Sequence, residues 1–104
     1  MNDSDDAPTI TLDGTQYIVP PTPFRVAKKI IPKILARPDV GTEQGLDDVL
    51  SVIHSAIKVG TPEAPDLEAF QEKHYELSEL LAAFAVVSAQ AGLKAKTPGE
   101  ATAA

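Results

Sequence analysis

A β-hairpin signal at residues 9–19, TITLDGTQYIV, limits the possible folds of this chain more than any other segment. Asp13-Gly14 separates two short runs of β-branched and aromatic residues. A two-residue hairpin loop needs positive φ at both central positions, and Asp and Gly tolerate that conformation. The turn therefore predicts a fixed strand register. The opposed pairs are Leu12 with Thr15, Ile10 with Tyr17, and Thr9 with Ile18.

Alternation along the two strands gives the hairpin one apolar face and one mixed face. An isolated hairpin is marginally stable in water, so the apolar face has to cover other elements. The outer edge of the hairpin then offers unpaired backbone donors and acceptors to another chain. The apolar face comprises Ile10, Leu12, Tyr17 and Val19, and the mixed face comprises Thr9, Thr11, Gln16 and Ile18.

Prolines mark the end of the hairpin and the start of the first helix. A Pro-Pro pair ends the second strand, and Thr22-Pro23 is typical of an N-cap followed by proline at the first helical position. The predicted helix covers residues 23–36. Pro32 inside it predicts a kink or a break, and a kink or a short second turn is favoured because the apolar stripe continues in phase. That stripe comprises Phe24, Ala27, Ile31, Ile34 and Leu35.

The middle of the chain has the clearest helical periodicity, over about residues 43–59. Thr42 is the predicted N-cap and Gly60 the predicted C-terminal cap, with Gly45 a weak point in the first turn. At about 100° per residue, the apolar side chains of this helix fill an arc of roughly 160°. They are Leu46, Val49, Leu50, Val52, Ile53, Ala56 and Ile57.

Two further helices are predicted after a proline-containing loop. Asp66 can cap a short helix through residues 67–74, and the last helix covers residues 77–91, with Gly92 as its left-handed exit. The predicted fold class is therefore α+β, an N-terminal β-hairpin followed by a bundle of three to four α-helices. The main apolar stripe of the last helix comprises Leu77, Leu80, Leu81, Phe84, Val87 and Ala91.

The last helix is nearly apolar around its whole circumference between Leu80 and Ala89. Such a helix is either central in the core or covered by a partner. Its back surface consists mainly of small residues that permit close approach of another element. Burial within the domain and binding of a partner are equal alternatives for this surface. The candidate partner-binding residues are Ala82, Ala83, Val86 and Ala89.

The first helix supplies a second candidate surface, which is basic. An ordinary solvated helix face is the simpler interpretation, and an electropositive patch that meets an acidic partner segment or RNA is the functional one. The stripe assignment turns Phe24 inward, so no aromatic side chain accompanies the cations, which argues against RNA. The candidate partner-binding cations are Arg25, Lys28, Lys29 and Lys33, and Arg37 lies at the helix exit.

Length and charge favour a single acidic globular domain. The chain has 104 residues and a formal net charge of −6, and this balance argues against nucleic acid as a partner. Residues 1–8 form a predicted disordered acidic N-terminal tail. Residues 9–93 form the predicted single α+β domain, and residues 94–104 a predicted flexible C-terminal tail.

The sequence contains no recognisable catalytic, cofactor or metal motif. Cysteine is absent, which excludes thiolate nucleophiles and zinc–sulfur sites. His54 and His74 lack the spacing of a metal-binding pair. We therefore expect a non-enzymatic protein without cofactor or metal. The acidic start is unlike a signal peptide, and the apolar run at residues 80–87 is shorter than the roughly 18 residues that span a bilayer. These features predict a cytoplasmic protein without a membrane partner.

Three segments resemble one protein family. They are ITLDGTQYIVPPTPF, LDDVLSVIHSAIK and LLAAFAVVSAQAGL, joined by a proline loop containing PDL, and they cover roughly residues 9–93. Their hydrophobic spacing, Asp-Gly turn, Pro-Pro pair and final Gly-Leu resemble the small tail assembly chaperones of long-tailed bacteriophages and related prophages. None of these motifs is a catalytic fingerprint.

The resemblance implies a non-enzymatic role in the cytoplasm of the host cell. Such proteins bind the long, hydrophobic tape-measure protein, keep it soluble and help tail-tube subunits gather on it. A frameshifted longer product with an extension after Leu93 and assembly into a homo-oligomer are compatible with this role. Two other classes stay open: a small structural virion component, such as a head–tail or tail subunit, and a nucleic-acid-binding adaptor.

Overall fold

The computed structural model describes residues 7–93 and confirms the α+β class. A two-stranded antiparallel hairpin precedes the helices, as the sequence predicted. The predicted tails lie outside the described residues, except for Ala7 and Pro8. The elements are β1 (Thr9–Leu12), β2 (Thr15–Ile18), α1 (Phe24–Leu35), α2 (Glu43–Gly60), α3 (Leu67–Phe70) and α4 (Leu77–Gln90).

The hairpin has the predicted turn and register. Asp13 and Gly14 both adopt positive φ, at 50° and 79°. Leu12 lies opposite Thr15, and the pairing continues in step to Thr9 and Ile18. The Val19 N–H donates to the Pro8 carbonyl at 2.9 Å, so the ladder extends one residue before β1. The predicted apolar face is buried, with Ile10, Leu12, Tyr17 and Val19 at 7% exposure or less.

α2 is the central helix of the fold. It packs against α1, α3, α4 and β2, while α4 packs against α2 and β1. Helix α2 therefore needs its wide apolar arc, because it meets neighbours on several sides. Leu46 was predicted inside this arc but is 37% exposed, since it lies in the first turn, at the margin of the core.

Two glycines allow the ends of α2 to pack closely. A Cβ at Gly45 would overlap the Asp39 carbonyl, so this position is a close approach and not merely a weak point. A Cβ at Gly60 would lie 2.8 Å from Pro20 Cδ and 3.0 Å from the Ile18 carbonyl oxygen. Gly60 is the last residue of the helix, so the prediction that it caps the C-terminus was wrong.

Side-chain caps at the helix starts follow the sequence prediction in α2 and α3. The Thr42 hydroxyl accepts the Gly45 N–H at 3.0 Å. The Asp66 carboxylate accepts the Ala69 N–H at 2.9 Å. The short helix α3 ends at Phe70, before the predicted limit, and His74 lies beyond it in exposed chain.

Helix α1 buries only part of the predicted stripe, and Ile30 joins it in the core. Its buried residues are Ala27, Ile30 and Ile34, whereas Phe24 is 76% and Leu35 63% exposed. The sequence offers two apolar stripes, centred about 90° apart on the helix. Because α1 packs against α2 on one side, one stripe is left outside, and the prediction that Phe24 points inward was wrong.

The start and the middle of α1 refine the prediction. Pro23, not Thr22, is the N-cap, and the helix has no side-chain cap hydrogen bond. The Thr22 hydroxyl is instead buried, without a hydrogen-bond partner among the described residues. Pro32 lies within one continuous helix, so the helix does not break there.

Helix α4 also buries only part of its predicted stripe, and Ala83 joins it in the core. Its buried residues are Leu80, Ala83 and Val87, while Leu77 is 48% and Leu81 45% exposed. The helix is apolar on nearly all sides, so the pattern did not define which side packs. The predicted exit is present: Gly92 has φ 96°, and the Leu93 N–H donates to the Ser88 carbonyl at 2.8 Å.

Candidate strand-binding groove

A groove runs between β1 and α4, which are the first and last elements of the described chain. It encloses about 340 Å³. Its floor is apolar and its rim carries hydroxyls and one carboxylate. The lining residues are Thr9, Ile10, Thr11, Ser78, Glu79, Ala82, Ala83 and Val86.

Hydrogen bonds tie α4 to the hairpin at one end of this groove and beyond the other. Glu79 Oε1 accepts the Asp13 N–H of the hairpin turn at 3.5 Å and the Glu76 N–H at 3.4 Å. The second bond belongs to a capping box that starts α4. At the other end, Gln90 Nε2 donates to the Val19 carbonyl at 2.7 Å. These bonds fix the position of α4 relative to the hairpin.

The β1 edge presents backbone groups to the groove. In this antiparallel register, the backbone groups of Leu12 and Ile10 form hydrogen bonds with β2. The backbone groups of the residues between them point away from β2. The N–H and C=O groups of Thr9 and Thr11 therefore face away from β2. Within residues 7–93, neither residue has a hydrogen-bond partner outside the hairpin ladder. This edge offers the pairing groups of an unfilled strand position.

The opposite edge of the hairpin is covered where β2 ends. Gly60 at the end of α2 lies against Ile18 and Pro20, so closely that a Cβ would contact both. The Thr22 N–H donates to the Gln90 carbonyl at 3.1 Å, which fixes the chain that leaves β2. The end of β2 is therefore obstructed, whereas Thr9 and Thr11 of β1 face the groove.

The predicted residues of α4 fall partly in the groove. Ala82 lines it and is exposed, and Val86 lines it while packing partly against the core. Ala83 is fully buried at the floor, so burial within the domain is the alternative that holds at this residue, where α4 packs against β1 and α2. Ala89 is half-buried and does not line the groove.

The four predicted cations lie on α1, away from the groove. Arg25, Lys28, Lys29 and Lys33 are all exposed. Lys33 Nζ donates to the Ser51 hydroxyl of α2 at 3.2 Å. Lys28 Nζ lies 6.0 Å from the centre of the Phe24 ring. The exposed Phe24 therefore places an aromatic ring among the cations, contrary to the prediction.

The polar rim of the groove was not predicted from the sequence as part of a site. Thr9 and Thr11 were assigned to the mixed face of the hairpin, and Glu79 was not assigned to any site. The capping-box spacing from Glu76 to Glu79 was the available signal for where α4 begins. The contact between Glu79 and Asp13 joins residues 66 positions apart, which no local pattern predicts.

An aromatic cluster supports the hairpin from below. Phe70 is fully buried, with its ring centre 6.0 Å from that of Tyr17, 5.2 Å from that of His54 and 5.7 Å from that of Tyr75. His54 Nε2 donates to the Pro65 carbonyl at 2.8 Å, so its ring holds a loop in place. Burial, with smaller effects of Tyr17 and Asp13, raises the pKa of Tyr75 to about 12.

The groove offers chemistry suited to binding. Backbone pairing groups and small apolar side chains recognise an extended segment through main-chain hydrogen bonds and alternate side-chain contacts. Across residues 7–93, no three His, Asp or Glu side chains are placed to hold a metal ion. No helix in the same part of the chain has both the length and the apolar character needed to cross a membrane.

Comparison of the chain with protein-family models, with curated proteins and with solved structures gives no match.

Proposed function

We propose that this chain is a tail assembly chaperone-like protein that holds a phage tape-measure protein soluble. The observation that carries the proposal is the groove between the free β1 edge and α4. A client that is long and hydrophobic exposes extended apolar segments before it assembles. One such segment would pair with Thr9 and Thr11 and place alternate side chains on Ala82 and Val86.

Three further features of this role belong to the proposal. The protein acts by binding, without an enzymatic step, in the cytoplasm of the host cell. It helps tail-tube subunits gather on the client, which requires a surface outside the occupied groove. It associates with copies of itself so that several grooves follow one long client, because linked weak sites gain affinity through effective concentration. The resemblance of residues 9–93 to such chaperones supports this assignment, and the net charge of −6 favours solubility.

The test is co-expression with the tape-measure protein encoded in the same genome, with and without groove variants. Ala82→Trp fills the groove with a large ring, while Ala85→Trp places the same ring on an exposed part of α4 outside it. We expect the native chain and Ala85→Trp to bring the tape-measure protein into the soluble fraction and co-elute with it. Ala82→Trp should lose both properties with its circular dichroism spectrum unchanged.

An insoluble tape-measure protein in the presence of the native chain would contradict the proposal. That result would favour the alternative, in which the protein is a small structural virion component. Purified particles distinguish the two functions, because a structural subunit is present there in fixed stoichiometry and a chaperone is absent. Immunoblotting of particles from infected cells is the direct measurement.

A second candidate function, binding of single-stranded nucleic acid, rests on the exposed Phe24. This ring stands next to Lys28 on a helix whose cations are exposed, which is the combination of stacking platform and positive charge that single strands require. Retention on single-stranded DNA or RNA that falls steeply with salt would support it. Absence of retention at low salt would dismiss it.

A further inference from the structure

Among the described residues that line the groove, Glu79 alone is charged. Its side chain is half-buried in the first turn of α4. The Asp13 and Glu76 N–H groups both donate to Oε1, and Oε2 has no hydrogen-bond partner within residues 7–93. Two backbone donors thus orient the carboxylate and leave one of its oxygens available to a ligand.

The elements that border the groove supply no positive charge to neutralise Glu79. The described segments β1, β2 and α4 contain no Lys, Arg or His. The basic helix α1 packs mainly against α2, not against β1 or α4. A cation on a ligand would therefore be attracted to this carboxylate, and such complementarity contributes specificity to binding.

The position of Glu79 gives the groove two different ends. Asp13 directly follows the last residue of β1, so its hydrogen bond to Glu79 places the carboxylate beside the C-terminal end of this strand. Val86 lies seven residues further along α4, about 10 Å away by the helical rise. About three residues of extended strand cover that distance. The groove is thus acidic at the hairpin turn and apolar toward Val86.

This asymmetry defines a direction for an added strand. A strand antiparallel to β1 continues the pattern of the hairpin, and antiparallel pairing is slightly more stable than parallel pairing. Such a strand begins opposite the end of β1, so its N-terminal residue lies beside Glu79. Because side chains alternate, the residues two and four positions later would face Ala82 and Val86.

We infer that the groove selects an extended segment that runs antiparallel to β1 and carries a lysine or arginine at its N-terminal end, beside Glu79, followed by alternate apolar residues. The inference rests on the proposed function, because it specifies which kind of client segment enters the groove. The main-chain hydrogen bonds supply pairing that is independent of sequence, and the cation sets direction and register. An ion pair at a partly exposed site changes affinity by about two- to fivefold and is weakened by salt.

The test uses three hexapeptides with acetylated and amidated ends, so that only the side chains are charged. They are Lys-Thr-Val-Thr-Val-Thr, the same residues in reverse order, and Gln-Thr-Val-Thr-Val-Thr. Each is titrated into the isotope-labelled full chain, and the amide NMR signals of Thr9 and Thr11 report binding at the groove. The variant is Glu79→Gln, which keeps an oxygen that can accept the same N–H groups. The matched control is Glu68→Gln, which removes one charge from exposed α3.

We expect all three peptides to shift the Thr9 and Thr11 signals of the native chain. The lysine-first peptide should bind about two- to fivefold more tightly than the other two at low salt. Glu79→Gln should remove this preference, and Glu68→Gln should keep it. The preference should also shrink as salt screens the ion pair.

Four results would overturn the inference. Equal affinities, with the Thr9 and Thr11 signals still shifting, would mean that the groove binds strands without selecting charge, and the proposed function would stand. A preference that survives Glu79→Gln would assign it to net charge. Tighter binding of the lysine-last peptide would reverse the direction of the strand. Absence of shifts with every peptide would contradict strand binding at the groove, and the proposed function would fail with it.

Discussion

The two edges of the hairpin have different surroundings in this molecule. The β2 edge meets the end of α2, where Gly60 lets Pro20 and Ile18 approach within contact distance. The β1 edge meets a groove of about 340 Å³, across which α4 presents Ala82 and Val86. Both edges carry the same backbone groups, so their difference comes from the helices beside them. An exposed strand edge is a risk for aggregation, because it can pair with another chain.

Ile10→Pro should have the largest effect on this comparison. It removes a buried side chain and the N–H that pairs β1 with β2, and we expect the free energy of unfolding to fall by about 3–5 kcal/mol. Chemical denaturation measures the loss. If the free energy of unfolding decreased by less than about 1 kcal/mol, the hairpin would not contribute to the core.

Gly60→Val tests how tightly the β2 edge is closed. The added side chain would enter the space now held by Pro20 and the Ile18 carbonyl, and overpacking of this kind costs about 1–3 kcal/mol. Thermal unfolding measures the change. Ala85→Val is the control, since Ala85 is exposed and should show only the small loss of helix propensity. Equal effects of the two would mean that this edge is not packed.

Tyr75→Phe probes the aromatic support beneath the hairpin. The Tyr75 hydroxyl donates to the Phe70 carbonyl at 2.6 Å, and its loss should cost about 1 kcal/mol near neutral pH. The pKa of Tyr75 is raised to about 12, so the fold favours the neutral phenol. This stabilisation is complete below about pH 10, the pKa of an unfolded tyrosine, and is lost as the pH rises to about 12.

The stability difference between the native chain and Tyr75→Phe should therefore shrink from pH 10 to pH 12. Urea titrations at several alkaline pH values measure it, with each chain compared at the same pH so that other titrating groups cancel. A constant difference across this range would mean that Tyr75 ionises equally easily in the folded and unfolded states.

Thr11→Pro should have the smallest effect on stability and a large effect on binding. The Thr11 N–H points to the open edge, so proline removes no ladder bond, and we expect a cost of about 1 kcal/mol or less. The substitution removes a donor that an added strand would use. Co-elution with the tape-measure protein should be lost while thermal unfolding stays close to that of the native chain, in contrast to Ile10→Pro.

The local features of this fold could be predicted from the sequence. The hairpin register follows from Asp13-Gly14, and the starts of α2 and α3 follow from Thr42 and Asp66 as caps. Each depends on backbone and side-chain chemistry within a few residues, which a sequence displays directly.

The buried faces of α1 and α4 could not be predicted in the same way. Both helices have more apolar surface than their neighbours cover, so periodicity alone could not decide between Ile30 and Phe24, or between Ala83 and Leu81. The groove depends on contacts between the two ends of the described chain. The sequence predicted the small residues of α4 and the outer edge of the hairpin as two separate surfaces. Only the tertiary structure shows that the two surfaces lie side by side.

The bonds that tie α4 to the hairpin also determine when the groove can exist during synthesis. Asp13 and Glu79 are 66 residues apart, and Val19 and Gln90 are 71 apart. Contacts of such sequence separation close late, because the chain must lose loop entropy before it gains them. On a ribosome, β1 emerges long before α4 and cannot present a finished groove to any ligand. Binding competence at this site is therefore coupled to completion of the domain.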